Sequence, residues 1–388
     1  MTPAARVQAA IEILDLVIAA ARNNGAPADR IITEWFRTRR FAGSSDRRAV
    51  RELAYGAIRK CGEVPLSGRA AMLTLAKHDP ALTALFDGSP HAPAPSAPGE
   101  RYARPGTAPA WLEKLLAASA VDGDLLGRAP LDIRVNSLKS ARETIELPVA
   151  TEPTAAMHGL RLPFGTPVEQ WEAHQAGLIE VQDTGSQLVC EALGAHPGET
   201  VIDLCAGAGG KTLALAAAMD NRGVLLACDT DRGRLSRLPP RAERAGATII
   251  QTQLLDPGQE DKALAEWLGK ADAVLIDAPC SGTGTWRRNP EGRWRLTPRE
   301  LARLVVLQAR LLDLAARLVK PGGRLVYVTC SLLDGEGADQ AAAFLARNDR
   351  FRADPLPEGF GEPRGSGNRF TPYRDGTDGF FVVRLSCI

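Results

Sequence analysis

Hydrophobic positions follow two different rules along the chain. In residues 4–22, Val7, Ile11, Leu14, Ile18 and Ala21 recur at helical spacing, and Asn23-Asn24-Gly25 ends the run. A second helix is predicted over 29–37, carrying Ile31, Ile32, Trp35 and Phe36. A third is predicted after Ser44-Ser45-Asp46, which offers N-caps, with Val50, Leu53, Ala57 and Ile58 inward. Residues 65–86 read as further helix. From Val181 onward the rule changes. Short apolar runs at 200–204, 223–228, 247–251, 272–276, 323–329 and 379–385 read as strands, alternating with helices at 184–194, 210–219, 231–245, 259–268, 298–319 and 335–347. This alternation predicts an α/β, doubly wound parallel sheet. The last strand follows a short strand near 350–353 and a Pro- and Gly-rich loop, so it is expected to close the sheet antiparallel.

Six prolines among residues 87–109 mark a linker. Beyond it, a helix over Trp111 to Leu116 and strands at Ile133–Asn136 and Gly159–Leu162 suggest a small α+β module. The expected division is therefore an all-α N-terminal domain over 1–86, a linker over 87–109, a module over 110–175 and an α/β domain over 176–388.

Composition narrows the class. A chain of 388 residues with 45% apolar content suits two or three globular domains. The net charge of +1 hides local excess: residues 1–64 hold eleven Lys or Arg against seven acids, and 286–303 hold six Arg against two Glu. Arg39, Arg40, Arg47 and Arg48 cluster around one turn, as a solvated face or as an RNA-facing patch. Seven cysteines without a Cys-x-x-Cys pair, and five histidines, give neither a zinc site nor a disulfide framework. No apolar run approaches the roughly 18–20 residues of a membrane span. A cytoplasmic, monomeric protein with reduced thiols is expected.

The candidate chemistry sits at predicted strand ends, where ligands of such sheets bind. Asp203 precedes Cys205-Ala206-Gly207-Ala208-Gly209-Gly210-Lys211-Thr212 and a helix. This is not a Walker A loop, because neither Cys205 nor Ala206 supplies its first glycine. Nor is it a dinucleotide fingerprint, because Thr212 stands where the third glycine belongs. An acid followed by a short Gly-rich turn fits S-adenosylmethionine, whose carboxylate would meet the helix amino terminus. Asp229 ends the next strand at the distance that suits a ribose diol, and Asp256 and Asp277 follow the third and fourth. Asp277-Ala278-Pro279-Cys280 and Thr329-Cys330-Ser331 then deliver two thiols to one rim. For Cys61, Cys190 and Cys228 the reading is a small buried hydrophobe.

Residues 181–388 resemble the catalytic domain of the RsmB/Nop-type RNA cytosine-5 methyltransferases. The resemblance rests on Val181-Gln182-Asp183, the loop above, Asp277 to Gly284, Arg288-Asn289-Pro290-Glu291, Thr329-Cys330-Ser331 and Thr377-Asp378-Gly379-Phe380-Phe381. It departs at Ala208, where the family usually has proline. The resemblance implies a class I methyltransferase fold and S-adenosylmethionine held around Asp203, residues 205–211, Asp229, Arg234, Asp256, Asp277 and Pro279. Carbon 5 of cytosine is a poor nucleophile until a thiolate adds at carbon 6, which explains a catalytic cysteine. Chemistry alone does not rank the two thiols. By the resemblance Cys330 attacks and Cys280 assists release, with Asp277 and Lys211 orienting the base. Arg287, Arg288, Arg293 and Arg295, interleaved with Trp286 and Trp294, would track the RNA backbone. The amino-terminal helices resemble, more faintly, a NusB-like RNA-binding domain, and residues 130–163 the family's linking module. Ribosomal RNA is the expected partner. The alternatives are tRNA, or a non-catalytic RNA-binding factor that keeps a vestigial pocket.

Overall fold

Thr2 accepts from the Ala5 amide and starts the first helix, Pro3–Arg22, in the computed structural model, which describes residues 1–388. Helices Ala28–Arg37, Ser44–Lys60 and Gly68–Ala76 follow and share one core, built from Val7, Ile13, Leu14, Ile32, Val50, Ile58 and Met72. Gly68 is required there: a Cβ would lie 2.2 Å from the Ile11 carbonyl. The third helix differs from expectation at its start. Gly43 is its N-cap and no side chain caps it, while Asp46 is buried and pairs with Arg6 at 2.8 Å.

Residues 87–109 are tied down along these helices. Arg69 donates to the carbonyls of Ala94 and Pro95 and pairs with Glu100, and the Ala103 amide donates to Thr74. Helix Ala110–Ala118 follows. The chain divides into two compact units, Met1–Arg128 with Thr285–Pro298, and Ala129–Gly284 with Arg299–Ile388. The helical unit thus continues through residue 128.

The returning segment Thr285–Pro298 overturns one expectation. Trp286 and Trp294 are buried, and so are Arg287 and Arg293. Arg293 is 0% exposed and donates to the carbonyls of Pro290, Ile58 (2.7 Å) and Cys61 (2.9 Å). Trp294 donates from Nε1 to Cys61 as well, and Arg295 donates to Gly25 and Ala26. Helix ends leave carbonyls without intrahelical partners and carry partial negative charge. The end of Ser44–Lys60 and the turn after Pro3–Arg22 present such carbonyls, and two arginines from distant sequence satisfy them. Arg293, fully enclosed, is therefore structural here and cannot track a nucleic-acid backbone; Arg287 is buried, and Arg295 is partly exposed.

The second unit opens with a four-stranded antiparallel sheet of β1 (Leu131–Val135), β2 (Glu152–Pro153), β3 (Gly159–Leu162) and β4 (Ile179–Val181), in the order β2-β3-β1-β4. Ile133, Val135, Leu160 and Ile179 form its core. The large sheet has nine strands: β5 (Thr200–Asp203), β6 (Val224–Asp229), β7 (Ile250–Leu254), β8 (Ala271–Asp277), β9 (Val319–Thr329), β10 (Phe351–Asp354), β11 (Glu362–Arg364), β12 (Gly367–Phe370) and β13 (Phe380–Cys387). Its order is β11-β12-β13-β9-β8-β5-β6-β7, with β10 also on β13. The run from β9 through β8, β5 and β6 to β7 is parallel, and β13 pairs antiparallel with β9. The order reverses between β5 and β8, so a crevice opens beyond their carboxyl ends. Core residues cover both faces of the parallel part, as buried parallel strands require.

Two local departures bear on the site. The helix predicted over 231–245 is split into Arg232–Leu235 and Leu238–Ala245, because Pro239 and Pro240 start a new helix more readily than they continue one. Strand β7 runs three residues later than predicted and ends at Leu254, two residues before the exposed Asp256.

Candidate active site

Asp203 ends β5 and is fully buried, accepting from Thr212 Oγ1 at 2.7 Å. Its Oδ1 has no partner. Burial pushes its carboxyl up to about 7, with the neighbouring Asp277 adding to the effect. A carboxyl raised on folding stabilises the fold below its unfolded value, about 4, and that contribution disappears as pH rises through about 7. Wild type should thus lose thermal stability between pH 4 and 8 by an amount that Asp203→Asn does not lose. Parallel melting curves for the two proteins would disprove this.

The loop after β5 turns on two glycines with positive φ, Gly207 (58°) and Gly209 (86°). A Cβ on Gly207 would lie 2.5 Å from an Arg234 nitrogen, and one on Gly209 would lie 2.1 Å from Leu238. Asp229, at the end of β6, fixes this loop from below. Its two oxygens accept from the Gly207 and Asp231 amides, each at 2.7 Å. Ala206 packs into the core, and the Ala208 carbonyl accepts from Arg241 at 2.6 Å. Gly210 opens the following helix. The loop is held by its surroundings even without proline at 208.

A cavity of about 420 Å³ lies over these strand ends, within the usual range for small-ligand sites. Cys205, Asp229, Arg234, Asp277, Pro279, Cys280 and Cys330 line it. Asp256 does not. Its place is taken by Glu260, which is buried and accepts both nitrogens of Arg310, at 2.8 and 2.9 Å. Leu255, Leu307 and Leu311 complete an apolar wall. An acid just inside a short helix, with an arginine on the long helix Pro298–Leu318, gave no sequence signal of partnership.

The two thiols meet. Cys280 Sγ and Cys330 Sγ are 3.2 Å apart, and both are partly exposed. Lys211 Nζ donates to Asp277 Oδ2 at 2.7 Å. Burial works against the Lys211 charge, but Asp277, Cys190 and Cys330 outweigh it and hold the ammonium above its ordinary value. The neighbouring Cys330 sulfur, then burial and the Glu336 carboxylate, push the Cys280 thiol well above the usual thiol range. Burial does the same to Cys228 and Cys205 and pushes Cys61 and Cys190 up to about 12, so these four are poor nucleophiles.

The remaining motifs brace this pair. The Gly284 amide donates to Cys330 O at 3.0 Å, and the Gly379 amide donates to Gly284 O at 2.8 Å. A Cβ on Gly284 would lie 2.1 Å from the Gly379 carbonyl, so Thr377-Asp378-Gly379 needs glycine opposite it. Phe380 and Phe381 are core. In the other unit Arg40, Arg47 and Arg48 are exposed, while Arg39 stacks 4.0 Å over Trp35.

Residues 190–386 match the family model for 16S rRNA methyltransferase RsmB/F. The chain is 37% identical to the probable ribosomal RNA small subunit methyltransferase B of Synechocystis over 272 residues, 66% of this chain and 59% of that protein. It is also 37% identical to ribosomal RNA small subunit methyltransferase B of Xylella fastidiosa over 290 residues, 71% of this chain and 68% of that protein. It thus spans about three fifths to two thirds of the length of these relatives. Among solved structures it is similar to PH0851, with a TM-score of 0.76 and 25% identity over 99% of each chain.

Proposed function

Because the chain belongs to the RsmB/F family of rRNA methyltransferases, we propose that it methylates carbon 5 of a cytosine in ribosomal RNA through a covalent cysteine adduct. S-adenosylmethionine is the cofactor and supplies the methyl group. The residues present fit it. The loop has glycines where side chains would collide, a carboxylate lies at each of two adjacent strand ends, and Asp203 keeps an unpartnered buried oxygen beneath the loop. The observation that carries the reading is the pair of sulfurs 3.2 Å apart on the rim of that cavity. A non-catalytic RNA-binding factor needs neither.

In this reading Cys330 adds to carbon 6 of the base, and carbon 5 becomes nucleophilic enough to take the methyl group. Loss of the carbon 5 proton then breaks the carbon 6–sulfur bond, expelling the thiolate and restoring the ring. Cys280, pushed up by Cys330, burial and Glu336, keeps its proton at neutral pH and is placed to assist departure of the product. Asp277, fixed by Lys211, orients the base. The amino-terminal helices, as a NusB-like domain, would hold the RNA through Arg40, Arg47, Arg48 and the partly exposed Arg39 and Arg288. Bisulfite mapping of ribosomal RNA from cells with and without the gene tests the reading. A cytosine protected only when the gene is present is the expected result, and identical maps would overturn it.

Asp229 both fixes the Gly207 loop and faces the cavity, where it is placed to accept from the ribose hydroxyls. Asp229→Ala should weaken S-adenosylmethionine binding by about 1.5–3 kcal/mol, the value of charge-assisted hydrogen bonds. Titration calorimetry on folded protein checks it, and unchanged affinity would assign Asp229 to the loop alone.

A further inference from the structure

Two loops from separate strands must hold their sulfurs at one distance, and the buried side chain between them is Glu336. It lies in a short turn after β9, is 0% exposed, and accepts four hydrogen bonds. One oxygen takes the Ser281 amide at 2.9 Å and Gln308 Nε2 at 3.0 Å. The other takes the hydroxyls of Ser281 and Ser331, the latter at 2.6 Å. Gln308 Nε2 also donates to the Pro279 carbonyl at 2.9 Å. Both chain neighbours of Cys280 and the residue after Cys330 are thereby tied to one carboxylate. Thr283 and Ser331 join the two loops a second time, their hydroxyls 3.1 Å apart. Tyr327 donates to the Glu336 backbone carbonyl at 2.7 Å and holds the turn itself.

We infer that Glu336 is a positioning residue that clamps the Cys280 and Cys330 loops together and sets the spacing of their sulfurs. This rests on the catalytic reading of the two thiols, but the clamp itself can be read without it. A buried carboxylate is costly unless every lone pair is used. Here the four donors come from both loops and from the long helix, so removing the carboxylate takes the shared acceptor from all four at once and leaves the Ser281 amide with no other. The charged and titratable groups facing this centre are Cys280, Cys330 and Tyr327, with Lys211 and Asp277 across the cavity. None offers a replacement acceptor to Ser281 and Gln308 together.

Sulfur spacing can be measured directly. Diamide, a diazene, takes two electrons and two protons from a dithiol, forming one disulfide and one hydrazine, and peptide mapping identifies the Cys280–Cys330 link. The wild-type protein should link quickly because its sulfurs nearly touch. Glu336→Ala should link at least about tenfold more slowly, and its kcat should fall about 100-fold with KM for cofactor and RNA unchanged, the cost of a misplacement of about 1 Å. Glu336→Gln keeps the volume, one acceptor and a donor that the two serine hydroxyls can accept, so it should recover most of the linking rate even if the alanine variant folds poorly. Linking by Glu336→Ala at the wild-type rate would overturn the clamp, as would a glutamine variant no faster than the alanine one. If wild type links quickly but transfers no methyl group, the proposed function fails while the clamp stands.

Discussion

Cys330→Ala is expected to bind RNA and cofactor yet form no covalent adduct and transfer no methyl group, a loss on the order of 10⁴-fold or more. Cys280→Ala should still attack and methylate, but release product slowly. With S-adenosylmethionine and RNA present it should accumulate a protein–RNA complex that survives denaturation and runs as a shifted band. The asymmetry comes from the surroundings of each sulfur. The neighbouring Cys330 sulfur, burial and Glu336 push the Cys280 thiol up, which suits it to assist release and not to attack. Neither substitution leaves a large void, because both side chains are small and partly exposed. A trapped complex from Cys330→Ala and none from Cys280→Ala would exchange the two roles. Methyl transfer by both variants without any trapping would remove the covalent step altogether.

The second large effect is on stability. Arg293→Ala should destabilise the helical unit by about 1.5–3 kcal/mol, the value of hydrogen bonds from a charged group. The loss removes the charged donor shared by the Ile58 and Cys61 carbonyls, which keep only the Cys61 amide and Trp294 Nε1, and it opens a void where a whole side chain was enclosed. Denaturant unfolding followed through Trp35 and Trp294, both buried in this core, measures it. Arg293→Lys should recover little, since one ammonium cannot reproduce the planar fork. If Arg293 instead met phosphates, its removal would lower the salt dependence of RNA binding by about one unit and leave unfolding unchanged.

That arginine also marks where the sequence stopped being legible. Alternation of strand and helix predicted the parallel sheet, since period and length are local properties. The acids at 203, 229 and 277 fell at true strand ends for the same reason. Asp256 also follows its strand, two residues past the end of β7, but it is exposed and outside the cavity lining; the polar run Gln251-Thr252-Gln253 carries little hydrophobic signal for the strand's bounds. The Arg–Trp segment looked like a nucleic-acid track because composition cannot distinguish a surface cation from one that caps a distant helix. Its partners lie more than 230 residues away. Glu260 with Arg310, and Glu336 with Gln308, were missed for that same reason of long-range pairing. One trace of Glu336 was available: an acid between two glycines, six residues past Cys330, where a turn returns toward the strand end.

The helical unit is not contiguous in the chain, and this governs the order in which it is made. Apart from Trp294, its core is built from residues no later than Ala103. Trp294 and Arg293 leave the ribosome about 190 residues afterwards, which at about 5–20 residues per second is a wait on the order of 10–40 s. During that wait the nascent helices lack the Arg293 and Trp294 donors to the end of Ser44–Lys60. The sheet strands β5 to β8 are synthesised in the interval. The amino-terminal part, made first, is therefore completed late, and a stall or truncation anywhere between residues 104 and 292 would release a chain whose first domain is still open.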